Sequence, residues 1–130
     1  MTKKPPANPV TPDDAAFFAR CVGRWQSVLG MKDWRIAVSD RRSPRKVMAE
    51  VAKFDLEQRA ASIRLGKDWS GEVVTPEMLD KTALHEVLHV FLHELIETAR
   101  ANHDEDAIGS AEHRIINIME VLLPMLSGAK

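Results

Sequence analysis

Thr75-Pro76-Glu77-Met78-Leu79-Asp80-Lys81-Thr82-Ala83-Leu84-His85-Glu86-Val87-Leu88-His89-Val90-Phe91-Leu92-His93-Glu94-Leu95-Ile96 decides how this chain is read. Threonine caps a helix, proline suits its first position, and an acid in the first turn complements the dipole. Leu84, Val87, Leu88, Phe91, Leu92, Leu95 and Ile96 then recur at i, i+3, i+4 spacing, which predicts one helix running to about Arg100. On a helical wheel the apolar stripe centres near Val87, Leu88, Leu84 and Leu95. His85 and His89 fall on its shoulder, beside Leu92 and Ile96, neither core nor fully solvated.

Upstream the period changes. Thr11-Pro12-Asp13-Asp14 starts a first helix, with Phe17, Phe18, Cys21, Val22, Trp25, Val28 and Leu29 at helical spacing and Gly30 as its stop. Trp34–Val38, Val47–Phe54 and Ala61–Leu65 alternate as strands, the second with Val47, Ala49, Val51 and Lys53 on one face. Strands this close favour an antiparallel meander, because parallel neighbours need crossovers of about a dozen residues. The third strand, Ala60–Leu65, is the expected free edge. After a polar break at 101–106, a last helix begins between Asp104 and Ser110 and carries Ile115, Ile116, Met119, Leu122 and Leu123 before Pro124. The expected fold class is α+β: an N-terminal helix, a three-stranded mostly antiparallel sheet, the long helix and a C-terminal helix. Residues 1–12, with four prolines, are expected as a flexible arm, and 13–127 as one domain.

Composition narrows the class. In 130 residues, 45% are apolar and 28% charged, a globular balance, and the formal net charge is −1. Near-neutrality argues against a nucleic-acid coat. Arg41, Arg42, Arg45 and Lys46 form a basic turn without aromatic interleaving, read as a solvated loop, so nucleic acid is the less favoured partner. Cys21, the only cysteine, reads as a small buried apolar residue, and the three tryptophans, Trp25, Trp34 and Trp69, as packing. No stretch is long and apolar enough to span a membrane, and no apolar run follows the N-terminal lysines. The expectation is a cytoplasmic protein without a membrane partner, monomeric or a small homo-oligomer.

His85-Glu86-Val87-Leu88-His89 is the motif that carries chemistry. Histidines at i and i+4 lie one turn apart on one face and converge on one zinc ion, and the intervening glutamate suits a general base. A third ligand is needed. His93 lies eight residues, about 12 Å, along a straight helix from His85 and is too far. Leu92 and Leu95 stand where a metzincin has glycine and histidine. Glu112 is favoured, because a carboxylate from the following helix is the gluzincin arrangement, with His113 and His103 as alternatives. Glu120, on the same face as Glu112, suits the orienting of a ligating imidazole through its other nitrogen. The chain has no tyrosine, so an oxyanion donor would be sought in His93, His103, His113, an arginine or the backbone.

Leu29-Gly30, Trp34-Arg35-Ile36, Ala61–Leu65, Leu84–His89, Ala111–Asn117 and Glu120–Pro124 together resemble the small zincin-type metallopeptidases encoded by phages and bacteria. These are similar in plan to SprT-like and minimal gluzincin domains. The resemblance spans residues 13–124 and is sharp only at the H-E-x-x-H block. It implies a Zn2+ cofactor, Glu112 as third ligand, a cleft lined by the Ala61–Leu65 strand, and the host cytoplasm as location for a phage-encoded chain. The expected activity is zinc-dependent hydrolysis of peptide bonds, with Glu86 catalytic, His85, His89 and Glu112 on the metal, and a peptide or protein as substrate. The competing readings are a non-catalytic zincin-like module that engages a host factor and, ranked last because position 95 is leucine, a metal-dependent nuclease of the YbeY kind.

Overall fold

A computed structural model of the chain describes residues 8–100 and 104–127. The elements run α1 (Pro12–Val28), β1 (Arg35–Val38), β2 (Ala49–Asp55), β3 (Ala60–Leu65), α2 (Pro76–Arg100) and α3 (Glu105–Ser127). This is the expected α+β order. Among the described residues no helix is long and apolar enough to cross a membrane.

Helix α1 starts with a reciprocal capping box. The Asp14 N–H donates to Thr11 Oγ1 at 3.1 Å, and the Thr11 N–H donates to Asp14 Oδ2 at 3.0 Å. It ends at Gly30, whose φ of 69° is the left-handed turn that glycine takes without a Cβ clash. Phe18, Cys21, Val22 and Trp25 form its buried face against α2. Trp25 brings a polar N–H inside, and Asp80 of α2 accepts it at 2.8 Å while also pairing with Arg24 at 2.9 Å. The N-terminal arm is outside the described residues up to position 7. From Asn8 the chain is already tied down: Val10 N–H donates to Lys67 O and Trp69 N–H to Asn8 O, so docking begins before Asp13.

The sheet is not a meander. Its order is β1-β3-β2, with β1 parallel to β3 and β2 antiparallel to it. Proximity in sequence misled here because the parallel partners are β1 and β3, and all of β2 and its flanking loops serve as their crossover. After β1 the chain continues beside β3 as far as Ser43, whose N–H donates to Leu65 O, then passes to the opposite edge as β2. The third strand is therefore the centre of the sheet, and β2 is a free edge. Ala61, Ile63 and Leu65 of β3 are buried, which places that face against the helices. The expected face of β2 is broken by a register shift between Val51 and Lys53.

Gly66 closes β3 at a point where two backbones nearly touch. Its N–H donates to Met48 O at 2.7 Å, and a Cβ there would lie 2.0 Å from Val47 O. We expect Gly66→Ala to cost about 3 kcal/mol or more, read as a lowered midpoint in thermal or urea unfolding, because backbone rather than a pliable side chain must move. An unchanged midpoint would mean that the 47–48 segment does not hold this position in solution.

Helix α2 lies at the centre, against α1, β2 and α3. Leu84, Val87, Leu88, Leu92 and Ile96 of the expected stripe are buried. Phe91 and Leu95 are instead 43% and 60% exposed, and Ala83 and Val90 take up core positions. The inward arc shifts because three different elements cover α2 rather than one. On α3 the inward residues are Ile108, Glu112 and Ile116, with Met119 and Leu123 partly covered. Ile115 and Leu122, expected in the core, face out, and the helix continues through Pro124.

Candidate metal centre

The packing of α3 on α2 brings three imidazoles together. His85 and His89 stand on adjacent turns of α2, and His113 reaches them from α3. One ligand-capable atom from each lies within 4.8 Å of the others, and the ring centroids are 4.9 Å (His85–His89), 5.1 Å (His89–His113) and 6.0 Å (His85–His113) apart. As the wheel implied, His85 and His89 are half-buried; His113 is exposed.

Each of the three rings is oriented through its Nδ1. His85 Nδ1–H donates to Glu120 Oε1 at 2.5 Å, His89 Nδ1–H to Glu112 Oε2 at 2.7 Å, and His113 Nδ1–H to the Gly109 carbonyl at 2.9 Å. Carboxylate and carbonyl oxygens only accept, so Nδ1 is the donor in all three, and in a neutral ring that leaves Nε2 as the nitrogen able to ligate. A carboxylate or carbonyl behind a ligating imidazole is the usual way a metal site fixes its tautomers. Burial pushes the His89 pKa down, against the pull of Glu112, which keeps the ring neutral as a ligand must be.

The favoured third ligand of the sequence reading, Glu112, is buried beside the cluster with its carboxylate on His89. Its neighbour His113 is the residue that joins His85 and His89. Glu120 occupies the orienting place behind His85. His103 lies outside the described residues. His93 is apart from the three and stacks flat on Phe54 of β2, with centroids 3.8 Å apart and 3° between the planes; burial pushes its pKa down as well.

Glu86 is 6% exposed, and its carboxylate accepts from the Val51 backbone of β2. Burial first, then the nearby charges of Glu50 and Glu120, push its pKa from 4.5 up to about 8. Glu112 and Glu120 each hold a histidine, whereas Glu86 faces the open cleft. That cleft, about 640 Å³, is walled by α2 (His85, Glu86, His89, His93), α3 (Glu112, His113) and β2 (Ala49, Glu50, Val51, Phe54), with Arg45 and Arg100 also lining it. A second cavity of about 410 Å³ shares Ala49, His85 and Glu86 with it and is otherwise lined by Val47, Met48, Met78, Lys81, Thr82 and Glu120.

The β2 wall is what sequence reasoning missed, since it assigned the cleft to the Ala61–Leu65 strand. Glu50 in particular accepts from the buried Ser43 hydroxyl, pairs with Arg45 at 3.3 Å, and faces Glu86. Nothing in the local pattern of residues 47–54 marks them as a site, because only the strand order places them beside α2. A scan of the chain against models of known families, curated proteins and solved structures finds none that matches it.

Proposed function

We propose that the chain is a zinc-dependent hydrolase of peptide bonds in which Glu86 is the general base. The observation that carries this reading is a buried carboxylate, uncommitted to any histidine, facing the same cleft as three converging imidazoles. The donor set fits the ion: three neutral imidazole nitrogens are familiar zinc ligands and leave a fourth position open, the pattern of catalytic rather than structural sites. His85, His89 and His113 would hold the metal, with Glu120, Glu112 and the Gly109 carbonyl behind them. Zinc so held would supply Lewis acidity for water and for the scissile carbonyl.

The remaining chemistry belongs to the protein. Glu86 takes a proton from the attacking water and passes it to the leaving amine. The outer edge of β2 borders the cleft, so an extended peptide pairs there by main-chain hydrogen bonds, in place of the β3 edge expected from sequence. The adjoining cavity, with Val47, Met48 and Met78, suits an apolar side chain next to the cleaved bond. His93, neutral and braced on Phe54, is the imidazole left to donate to the developing oxyanion.

Incubating the zinc-loaded protein with a proteome-derived peptide library, and reading new termini by mass spectrometry, tests this directly. New termini are expected, lost on chelation and restored by zinc. Zinc bound at the three histidines with no cleavage of any peptide would favour the non-catalytic module instead.

A further inference from the structure

Helix α3 carries half of the histidine cluster's surroundings on one face and an uncovered apolar stripe on the other. Ile115, Ile118, Leu122 and Met125 are 39%, 54%, 48% and 74% exposed, and Val121 and Leu126 flank them at 64% and 81%. Together with exposed Ala111 they stand at 111, 115, 118, 122 and 125, steps of four, three, four and three. That is the a/d spacing by which one helix receives another. Arg114 and Asn117, both exposed, border the stripe on the side away from α2.

We propose that this face of α3 is a homodimer interface, with α3 of a second copy packed against it about a two-fold axis. The area is of the right size. From their fractional exposures the six large side chains leave roughly 700 Å² open. That exceeds the ~300–600 Å² of the largest patch on a typical monomer and approaches the ~800 Å² each partner buries in a standard interface. The stripe is also self-complementary: an isologous pair needs the same patch twice, and a heptad seam of aliphatic residues supplies its own partner. A lipid surface fits less well. The exposed charges of α3 are Glu105 and Asp106 in its first turn against Arg114, whereas helices that lie on anionic bilayers carry a basic polar face. The pairing has a consequence for the cluster. His113, Glu112 and Glu120 all ride on α3, whose main support within the chain is α2, so a second α3 behind it braces the rotation that aims those three groups.

Sedimentation equilibrium of the full chain from about 1 to about 500 µM tests the proposal, that span covering interfaces of ordinary strength. A reversible dimer, twice the 14.6 kDa of one chain, is expected. Ile118→Glu and Leu122→Glu, each placing a charge in the seam, are expected to raise its dissociation constant at least ~100-fold, whereas Ile118→Leu keeps the dimer. Far-UV circular dichroism of each variant should match the parent, since the side chains changed are exposed. A chain that is monomeric throughout overturns the proposal and leaves the face to a different occupant, a lipid surface or an unrelated protein. A dimer unmoved by both charged variants, with unchanged dichroism, overturns it too.

Discussion

Glu86→Gln is expected to lower peptide hydrolysis about 10³-fold, almost wholly in kcat, while the purified variant still carries zinc. Glutamine has the same volume, so the buried position stays filled and the Val51 N–H keeps an acceptor. What disappears is the ability to take a proton. His85, His89 and His113 and their oxygen partners are untouched, so metal content, measured by elemental analysis beside the rates, separates a chemical defect from a lost ion. Retained activity in a zinc-loaded Glu86→Gln protein would refute Glu86 as general base.

The same substitution has a second, metal-free signature. In the metal-free protein the Glu86 pKa is raised to about 8 from 4.5. Between those values the unfolded chain gives up this proton and the folded chain keeps it, so the group's contribution to stability falls as pH rises through that window. Glutamine removes the penalty. In the presence of chelator, Glu86→Gln is therefore expected to match the parent near pH 4 and to be more stable by roughly 3–5 kcal/mol at pH 8 and above. Urea melts at a series of pH values read this directly. A stability difference independent of pH would show that the carboxyl is not held neutral.

His113→Ala is expected to weaken zinc binding far more than Glu112→Gln does. If His113 is a ligand, its loss leaves two imidazoles on one helix and an incomplete site. Glu112, placed behind His89, orients a ring, and groups of that kind cost about 10–100-fold in affinity when removed. Glutamine still offers an oxygen to His89 Nδ1–H, which puts the expected loss at the low end of that range. Competition with a chromophoric chelator gives both affinities. The reverse order, with Glu112→Gln the more damaging, would restore the carboxylate ligand of a gluzincin plan and remove His113 from the set.

The contrast between Glu112 and His113 shows where local reading stops. His85 and His89 could be paired from sequence because both sit on one helix, where spacing alone fixes their relation. Glu112 and His113 are adjacent and about 100° apart on α3. Which of them reaches the cluster depends on how α3 is rotated about its own axis when it docks. That rotation is set by Ile108 and Ile116 entering the core against α2, and the sequence offered Ile115 as an equally good core residue. Glu120 lies seven residues and about 20° round the helix from His113, against about 80° from Glu112, so the rotation that aims His113 at the cluster brings Glu120 to it as well.

The sheet divides in the same way. Period-two alternation marked Trp34–Val38, Val47–Phe54 and Ala61–Leu65, and those strands formed within a residue or two of the expected bounds. Alternation states which side chains share a face and is silent about which strand lies beside which. The order β1-β3-β2 arises from long-range pairing, and it alone moved β3 to the centre and set β2 against the histidine cleft.

By itself, then, the sequence determined what neighbours a few residues apart govern: the Thr11 cap, the Gly30 stop, and the long helix with its two histidines on one shoulder. Tertiary structure alone decided the strand order, the wall of the cleft, the third imidazole and the outward turn of Ile115, Ile118 and Leu122. The reason is physical. Backbone spacing and capping act over one or two turns, whereas a site shared by α2, α3 and β2 exists only after apolar burial has chosen how those elements pack.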